Sequence, residues 1–72
     1  MSIEILKTFG KKIKKLRLDK GLSQEALAEM VDVHRTYMGF IERGERNPSL
    51  IKIFKLSRAL DVKLPELFDF DE

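Results

Sequence analysis

Arg35 and Thr36 are the neighbouring polar residues of this sequence best suited to reading a ligand through hydrogen bonds. An arginine can donate two hydrogen bonds to guanine O6 and N7, and a threonine can bond a base edge or contact a thymine methyl. Both stand at the start of an expected helix, the part of a recognition helix that reaches DNA bases. We expect them to read bases; the alternative is that both are solvated surface side chains.

The groups that catalysis or metal binding would need are scarce. Cysteine is absent, His34 is the only histidine, and no paired carboxylates stand in a recognisable acid–base arrangement. The sequence therefore lacks the residues for a thiolate metal site and for a recognisable pair of nucleophile and base. We therefore expect no catalytic residue, no metal, no cofactor and no enzyme, and interpret His34 as a candidate neighbour of a DNA base or phosphate.

Length and charge favour a small domain that binds a polyanion. With 72 residues, 43% of them apolar, the chain can build one core, so we expect a single domain over residues 1–72. No apolar run approaches the roughly 20 residues of a membrane span, which favours a cytoplasmic protein without a membrane partner. Residues 1–20 carry seven basic and two acidic side chains, residues 21–46 three and five. A basic first segment suits DNA, although charge alone fits a solvated helix face equally well.

Apolar residues recur at helical spacing and predict four or five helices and no strand. Ser23 and Ser49 are natural N-caps. Gly21 and Asp61 are expected in left-handed conformations that close helices, and Gly44 is expected to close the third helix. The expected helices are a first that ends near Gly21, a second from Ser23 to about Met30, a third from His34 or Arg35 to Arg43, a fourth from Leu50 to about Leu60, and a short fifth that ends near Phe68.

The second and third helices are short and separated by three residues, which predicts a helix-turn-helix over about Ser23 to Gly44. Their steep crossing needs a small residue, for which Ala28 stands in the right place, and the turn needs a residue that tolerates positive φ, such as Asp32. The alternative is an unrelated helical bundle whose helices begin and end at the same residues. The side chains expected to hold the motif to the core are Leu27, Val31, Val33, Met38 and Ile41.

Three segments carry a family resemblance: SQEALA at 23–28, HRTY at 34–37 and IERGERNPS at 41–49. Together they resemble the Xre/Cro family of phage-repressor-like regulators, over about Phe9 to Phe68. The Arg-Thr-Tyr start of the third helix, followed by Ile-Glu-Arg-Gly, most resembles the restriction–modification controller proteins. The resemblance implies an all-α, five-helix, phage-repressor-like DNA-binding domain whose helix-turn-helix is formed by helices 2 and 3.

The resemblance also implies contacts to the DNA backbone, which fix position rather than sequence. Gln24 and the adjacent helix amides are similar to the family's phosphate site at the start of helix 2. Arg43, Arg46 and Asn47 resemble the clamp on the other side, with the minor groove as an alternative for Arg46. Tyr37, at the edge of helix 3, is expected to pack its ring and reach a phosphate with its hydroxyl.

Two further features of helix 3 need an explanation. Gly39 costs about 1 kcal/mol relative to alanine inside a helix, so we expect DNA or a flanking side chain to approach it closely. Phe40 faces away from the buried side, and either a thymine methyl or the rim of the core is its expected contact. The resemblance implies that Arg17 of helix 1 pairs with Glu42 and holds helix 3 in position.

Helix 4 has more apolar residues than one face can use, which favours a homodimer. Leu50, Ile53, Leu56 and Leu60 are expected to fill the core side. The expected dimer surface consists of Ile51, Phe54, Leu64, Leu67 and Phe68. The alternative is a helix wedged between two others. A twofold dimer would set its recognition helices about one DNA turn apart, roughly 34 Å, and would read a palindrome.

These features predict a homodimeric, sequence-specific regulator of transcription that binds palindromic operators in double-stranded DNA. The resemblance favours an autoregulatory controller of a restriction–modification operon, with RNA polymerase as a further partner if the protein activates. The alternatives are a Cro-like repressor from a phage or plasmid and an antitoxin-type regulator that also binds a protein partner.

Overall fold

The computed structural model describes residues 2–70, which form four α-helices and one 3₁₀ helix and contain no strand. The elements are α1 (Ser2–Asp19), α2 (Gln24–Met30), α3 (Arg35–Arg43), α4 (Leu50–Ala59) and the 3₁₀ helix (Leu64–Phe68). The expected bounds of the four α-helices are confirmed to within about two residues. Within this range, no helix is long and apolar enough to cross a membrane.

Short polar side chains fix where α2, α3 and α4 begin. The hydroxyl of Ser23 accepts a hydrogen bond from the Ala26 amide at 3.0 Å, and the hydroxyl of Ser49 accepts one from the Lys52 amide at 3.2 Å. Both caps were predicted. His34 caps α3, since its Nδ1 accepts from the Thr36 amide at 3.0 Å.

The left-handed positions that close the helices are also confirmed. Asp32, in the turn between α2 and α3, has φ of 61°, and Asp61, after α4, has φ of 58°. Gly44 ends α3 with φ of 77°. A short polar side chain or a glycine is the residue that tolerates this conformation best.

The expected fifth helix is not an α-helix. In the segment Leu64–Phe68, the amide of Glu66 donates to the carbonyl of Lys63 at 2.9 Å, and the amide of Asp69 donates to Glu66 at 3.2 Å. These bonds span three residues, which defines a 3₁₀ helix. Pro65 has no amide hydrogen, and a five-residue segment is too short to gain much from α-helical hydrogen bonds.

The core gathers apolar side chains from every element. Ala28, expected where α2 approaches α3, is 1% exposed. At Gly10 of α1, a Cβ would lie 2.5 Å from the carbonyl oxygens of Ile41 and Glu42, so the backbones of α1 and α3 nearly touch. The buried apolar residues are Phe9, Ile13, Leu27, Ala28, Val31, Met38, Ile41, Leu56, Leu60 and Leu67.

Three apolar residues do not lie where the sequence predicted them. Leu50, expected in the core, is 71% exposed, because it lies in the first turn of α4 and about 120° around the helix from buried Leu56. Leu67, expected in the dimer surface, is fully buried, and Leu64 packs against the same core. In a 3₁₀ helix, residues three apart share one face, so Leu64 and Leu67 turn inward together.

Candidate nucleic-acid interface

The first turn of α3 presents polar side chains to solvent. Met38 and Ile41 are buried beneath the helix, whereas Arg35 and Thr36 are exposed. The Arg35 Nη1 lies 3.8 Å from Oε1 of Glu25 on α2, and both side chains are well exposed. An exposed pair of this length is weak, so Arg35 remains available to a ligand.

A buried network holds α3 against α1 and α2. Arg17 Nε donates to Glu42 Oε2 at 2.6 Å and Arg17 Nη2 donates to Glu42 Oε1 at 3.1 Å, with only 8% and 3% of the two side chains exposed. The implied Arg17–Glu42 pair is therefore present and bidentate. Arg17 Nη1 donates to the Leu22 carbonyl at 2.7 Å, which ties in the α1–α2 loop. Charge-assisted bidentate pairs fix geometry as well as adding energy.

Gln24 belongs to the same network, at the start of α2. Its Nε2 donates to Glu42 Oε1 at 2.9 Å, and the side chain is half-buried. At Gly39, a Cβ would lie 3.6 Å from Gln24 Oε1 and 3.0 Å from Arg43 Nη1. The close approach expected at Gly39 is thus made by side chains, so glycine leaves room for Gln24 and Arg43 over this side of α3.

Phe40 lies under two arginines, an arrangement that the sequence did not predict. The Cζ atoms of Arg43 and Arg46 lie 5.2 Å and 4.9 Å from the centroid of its half-buried ring. Arg43 Nε is also 3.3 Å from Glu45 Oε2. The three-residue spacing of Phe40 and Arg43 on one helix was the available signal, because such residues are neighbours on the helix surface.

The remaining candidate DNA contacts surround these groups. Tyr37 is half-buried, with its ring packed against the core. His34 is exposed but uses Nδ1 for the α3 cap, which leaves Nε2 for any other contact. Asn47 is exposed in the segment after α3. Gln24 lies on α2, whereas Arg35, Thr36, Phe40 and Arg43 lie on α3, and the Arg17–Glu42 network joins these two helices. Arg46 lies in the loop that follows α3.

Exposed apolar side chains form a second surface, which we call the α4 patch and define as Met30, Leu50, Ile51 and Phe54. Met30 and Phe54 line one shallow hollow between α2 and α4. Met30 was not expected in the dimer surface, because its helical spacing with buried Leu27 and Val31 favours the core side, yet it is 54% exposed. Phe68, also expected in the dimer surface, is exposed and stacks on Phe9 with ring centroids 5.6 Å apart.

An α2–turn–α3 unit with an exposed polar first turn on α3 defines the helix-turn-helix class. The helix-turn-helix family model matches residues 13–67, and the chain belongs to that family. The chain is 49% identical over 71 residues to control protein C.BamHI of Bacillus amyloliquefaciens, a match that covers 97% of this chain and 88% of that protein.

Solved structures agree with this assignment. The restriction–modification controller protein C.AhdI from Aeromonas hydrophila superimposes with a TM-score of 0.85 and 51% identity, covering 88% of this chain and 96% of that one. SinR, a master regulator for biofilm formation solved in complex with DNA, superimposes with a TM-score of 0.78 and 40% identity, covering 85% of this chain and 98% of that one. The resemblance to controller proteins is thereby confirmed.

Proposed function

We propose that this chain is a sequence-specific regulator of transcription that binds palindromic operators as a homodimer and controls a restriction–modification operon, including its own promoter. The observation that carries the proposal is the exposed Arg35–Thr36 turn on a helix held by the buried Arg17–Glu42 pair. A rigid helix with a polar first turn can enter the major groove without reorganising. The 51% identity to the restriction–modification controller protein C.AhdI supports control of a restriction–modification operon.

The residue roles follow from placement around that turn. Arg35 and Thr36 read base edges, where an arginine grips guanine and a threonine adapts to its partner. Gln24, at the start of α2, contacts the DNA backbone at the edge of this surface. Tyr37, beside the first turn of α3, directs its hydroxyl to the DNA backbone. Arg46 and Asn47 bind the backbone beyond the end of α3. Such contacts add affinity that depends on salt.

The α4 patch is the surface on which two copies meet. Ile51 is 67% exposed, and Phe54 lies three residues further along the same helix and is also exposed. Met30 is exposed and lines a shallow hollow with Phe54. Adjacent large apolar side chains on a small domain favour a partner that removes them from water. A twofold arrangement across this patch presents two α3 helices to one face of the DNA.

A DNA-binding regulator unconnected with restriction–modification, such as a Cro-like repressor, is the second candidate, and the likeness to the regulator SinR in complex with DNA supports it. Neighbouring genes separate the two: a methyltransferase and an endonuclease favour the controller. An antitoxin role would require a stoichiometric protein partner in a pull-down, without affinity for DNA. Activation would add RNA polymerase as a partner, which a supershift of the operator complex tests.

Selection of bound sequences from random double-stranded DNA tests the proposal most directly. We expect an enriched palindrome whose half-sites lie one helical turn apart or a multiple of it. The selected duplex should then shift to a complex that contains two protein chains. Failure to enrich any sequence at physiological salt, where non-specific binding to phosphates is weakened, would contradict sequence-specific regulation.

A further inference from the structure

We propose that Phe40 is a positioning residue that holds the side chains of Arg43 and Arg46 ready for the phosphates of the DNA backbone. The inference rests on the proposed function and assigns a role to a residue that otherwise has no hydrogen-bonding chemistry. Phe40 acts through the two arginines and does not itself read a base.

Phe40, Arg43 and Arg46 form a cluster with the geometry of cation–π contacts. Both guanidinium groups lie within about 6 Å of one ring centroid, the range in which a cation is attracted to the face of an aromatic ring. The ring is half-buried and rooted in α3, whereas both arginines are exposed. A ring fixed by its helix can therefore orient two long side chains that would otherwise sample many rotamers.

The cluster and its acidic neighbour, Glu45, have a net positive charge. Two guanidinium groups on one ring repel each other, and among the described residues Glu45 is the acidic side chain in contact with either, at 3.3 Å from Arg43. Arg46 makes no ion pair within residues 4–70. The cluster thus holds one more positive than negative charge and favours an anion. The nearest anions on DNA are backbone phosphates, which arginine binds through its planar fork.

Gly39 leaves space on α3 for the side chain of Arg43. Arg43 Nη1 comes within 3.0 Å of the position that a Cβ on Gly39 would take, so the absence of a side chain there lets Arg43 lie along α3. With two guanidinium groups over it, the Phe40 ring has little free face for a thymine methyl. An arginine that is already ordered loses less side-chain entropy when it binds, which increases affinity without adding a contact.

The test measures binding to the selected operator duplex and to a scrambled duplex of equal length. Phe40→Leu keeps the apolar bulk but removes the ring, and Phe40→Tyr keeps the ring. We expect Phe40→Leu to weaken binding to both duplexes by about tenfold, because two arginine side chains must then be ordered on binding, and Phe40→Tyr to stay within about twofold of wild type. Thermal unfolding of each variant verifies that it is folded.

A double-mutant cycle separates positioning from a structural effect. If Phe40 acts through Arg46, then Phe40→Leu combined with Arg46→Ala should weaken binding by less than the product of the two single effects. A full product, an equal loss in Phe40→Tyr, or a loss confined to the operator duplex would overturn the inference while leaving the proposed function intact. Absence of any binding by the wild-type chain would overturn both.

Discussion

Glu42 accepts three hydrogen bonds at one buried carboxylate, two from Arg17 and one from Gln24. A carboxylate in this position has lost its water and depends on those donors. The Arg17–Glu42 pair therefore need not stabilise the protein more than two apolar residues would. Removing one partner alone, however, lowers the free energy of unfolding, because the other charge stays buried. It also fixes the angle between α3 and the two helices that flank it.

Removing Arg17 alone should destabilise the protein strongly. Arg17→Met leaves the Glu42 charge buried without its main partner, and we expect a loss of about 3–5 kcal/mol in the free energy of unfolding, measured with urea. The double variant Arg17→Met with Glu42→Leu should lose less than the single variant.

Lys15→Met provides the matched control for that experiment. Lys15 pairs with Asp19 at 3.1 Å on the same helix, but both side chains are exposed. We expect a cost below about 0.5 kcal/mol. Equal costs for Arg17→Met and Lys15→Met would contradict the importance of burial.

Arg35→Ala should weaken operator binding by about 1–3 kcal/mol and relax sequence preference at one base pair in each half-site. The reason is the loss of a two-pronged contact to a base, which competition assays with single-base operator variants would detect. An unaltered preference at every position would show that Arg35 does not read bases.

Arg46→Ala should instead weaken binding to operator and scrambled DNA alike, because a phosphate contact carries no sequence information. The slope of log affinity against log salt should fall in magnitude by about 1 in the variant. An unchanged slope would exclude a phosphate contact by Arg46. Arg35→Ala is the contrasting variant, because it should relax sequence preference.

At the scale of the elements, Gly44 joins α3 to α1 by close contact. It has φ of 77°, and a Cβ there would lie 2.7 Å from the Cα of Lys7. Gly21 has a similar φ of 73° but no atom within 4 Å of its hypothetical Cβ. The two glycines therefore share a left-handed backbone, which glycine adopts without strain, and differ in packing.

Gly44→Ala should consequently destabilise the protein more than Gly21→Ala. A left-handed alanine costs about 1–2 kcal/mol at either site, and overpacking against α1 adds about 1–3 kcal/mol at Gly44 alone. Denaturant midpoints of the two variants measure the difference. Equal midpoints would mean that α1 moves aside at no cost.

Local chemistry explains which elements the sequence could predict. Caps such as Ser23 and Ser49, and left-handed residues such as Asp32, act within a few residues, and all were predicted. The 3₁₀ geometry after Pro65 and the burial of Leu67 depend on how the last segment meets the core. Spacing along the chain carries little of that information.

The same distinction holds for the candidate site. The Arg17–Glu42 pair was implied by family resemblance, since 25 residues separate its members and no periodicity links them. The arginines over Phe40 were missed. The spacing of Phe40 and Arg43 along α3 was an available signal, whereas the position of Arg46 depends on the chain after the end of α3. The base-reading and phosphate roles remain predictions that the variants above test.

For the whole molecule, the α4 patch predicts a homodimer. We expect the wild-type chain, of 8.4 kDa, to sediment at twice that mass at micromolar concentration. Ile51→Glu would place two like charges in a twofold interface from which water is excluded. This variant should therefore sediment as a monomer and bind the operator more weakly, since each half-site would have to be bound separately.

Leu18→Glu is the matched control for the dimer, because Leu18 is a large apolar residue that is 56% exposed on α1, outside the α4 patch. It should sediment and bind DNA as the wild type does. Loss of the dimer in Leu18→Glu but not in Ile51→Glu would move the interface to α1. Wild-type monomers at micromolar concentration, both free and on operator DNA, would contradict the dimer altogether, and the palindrome would then have to be read by two independent chains.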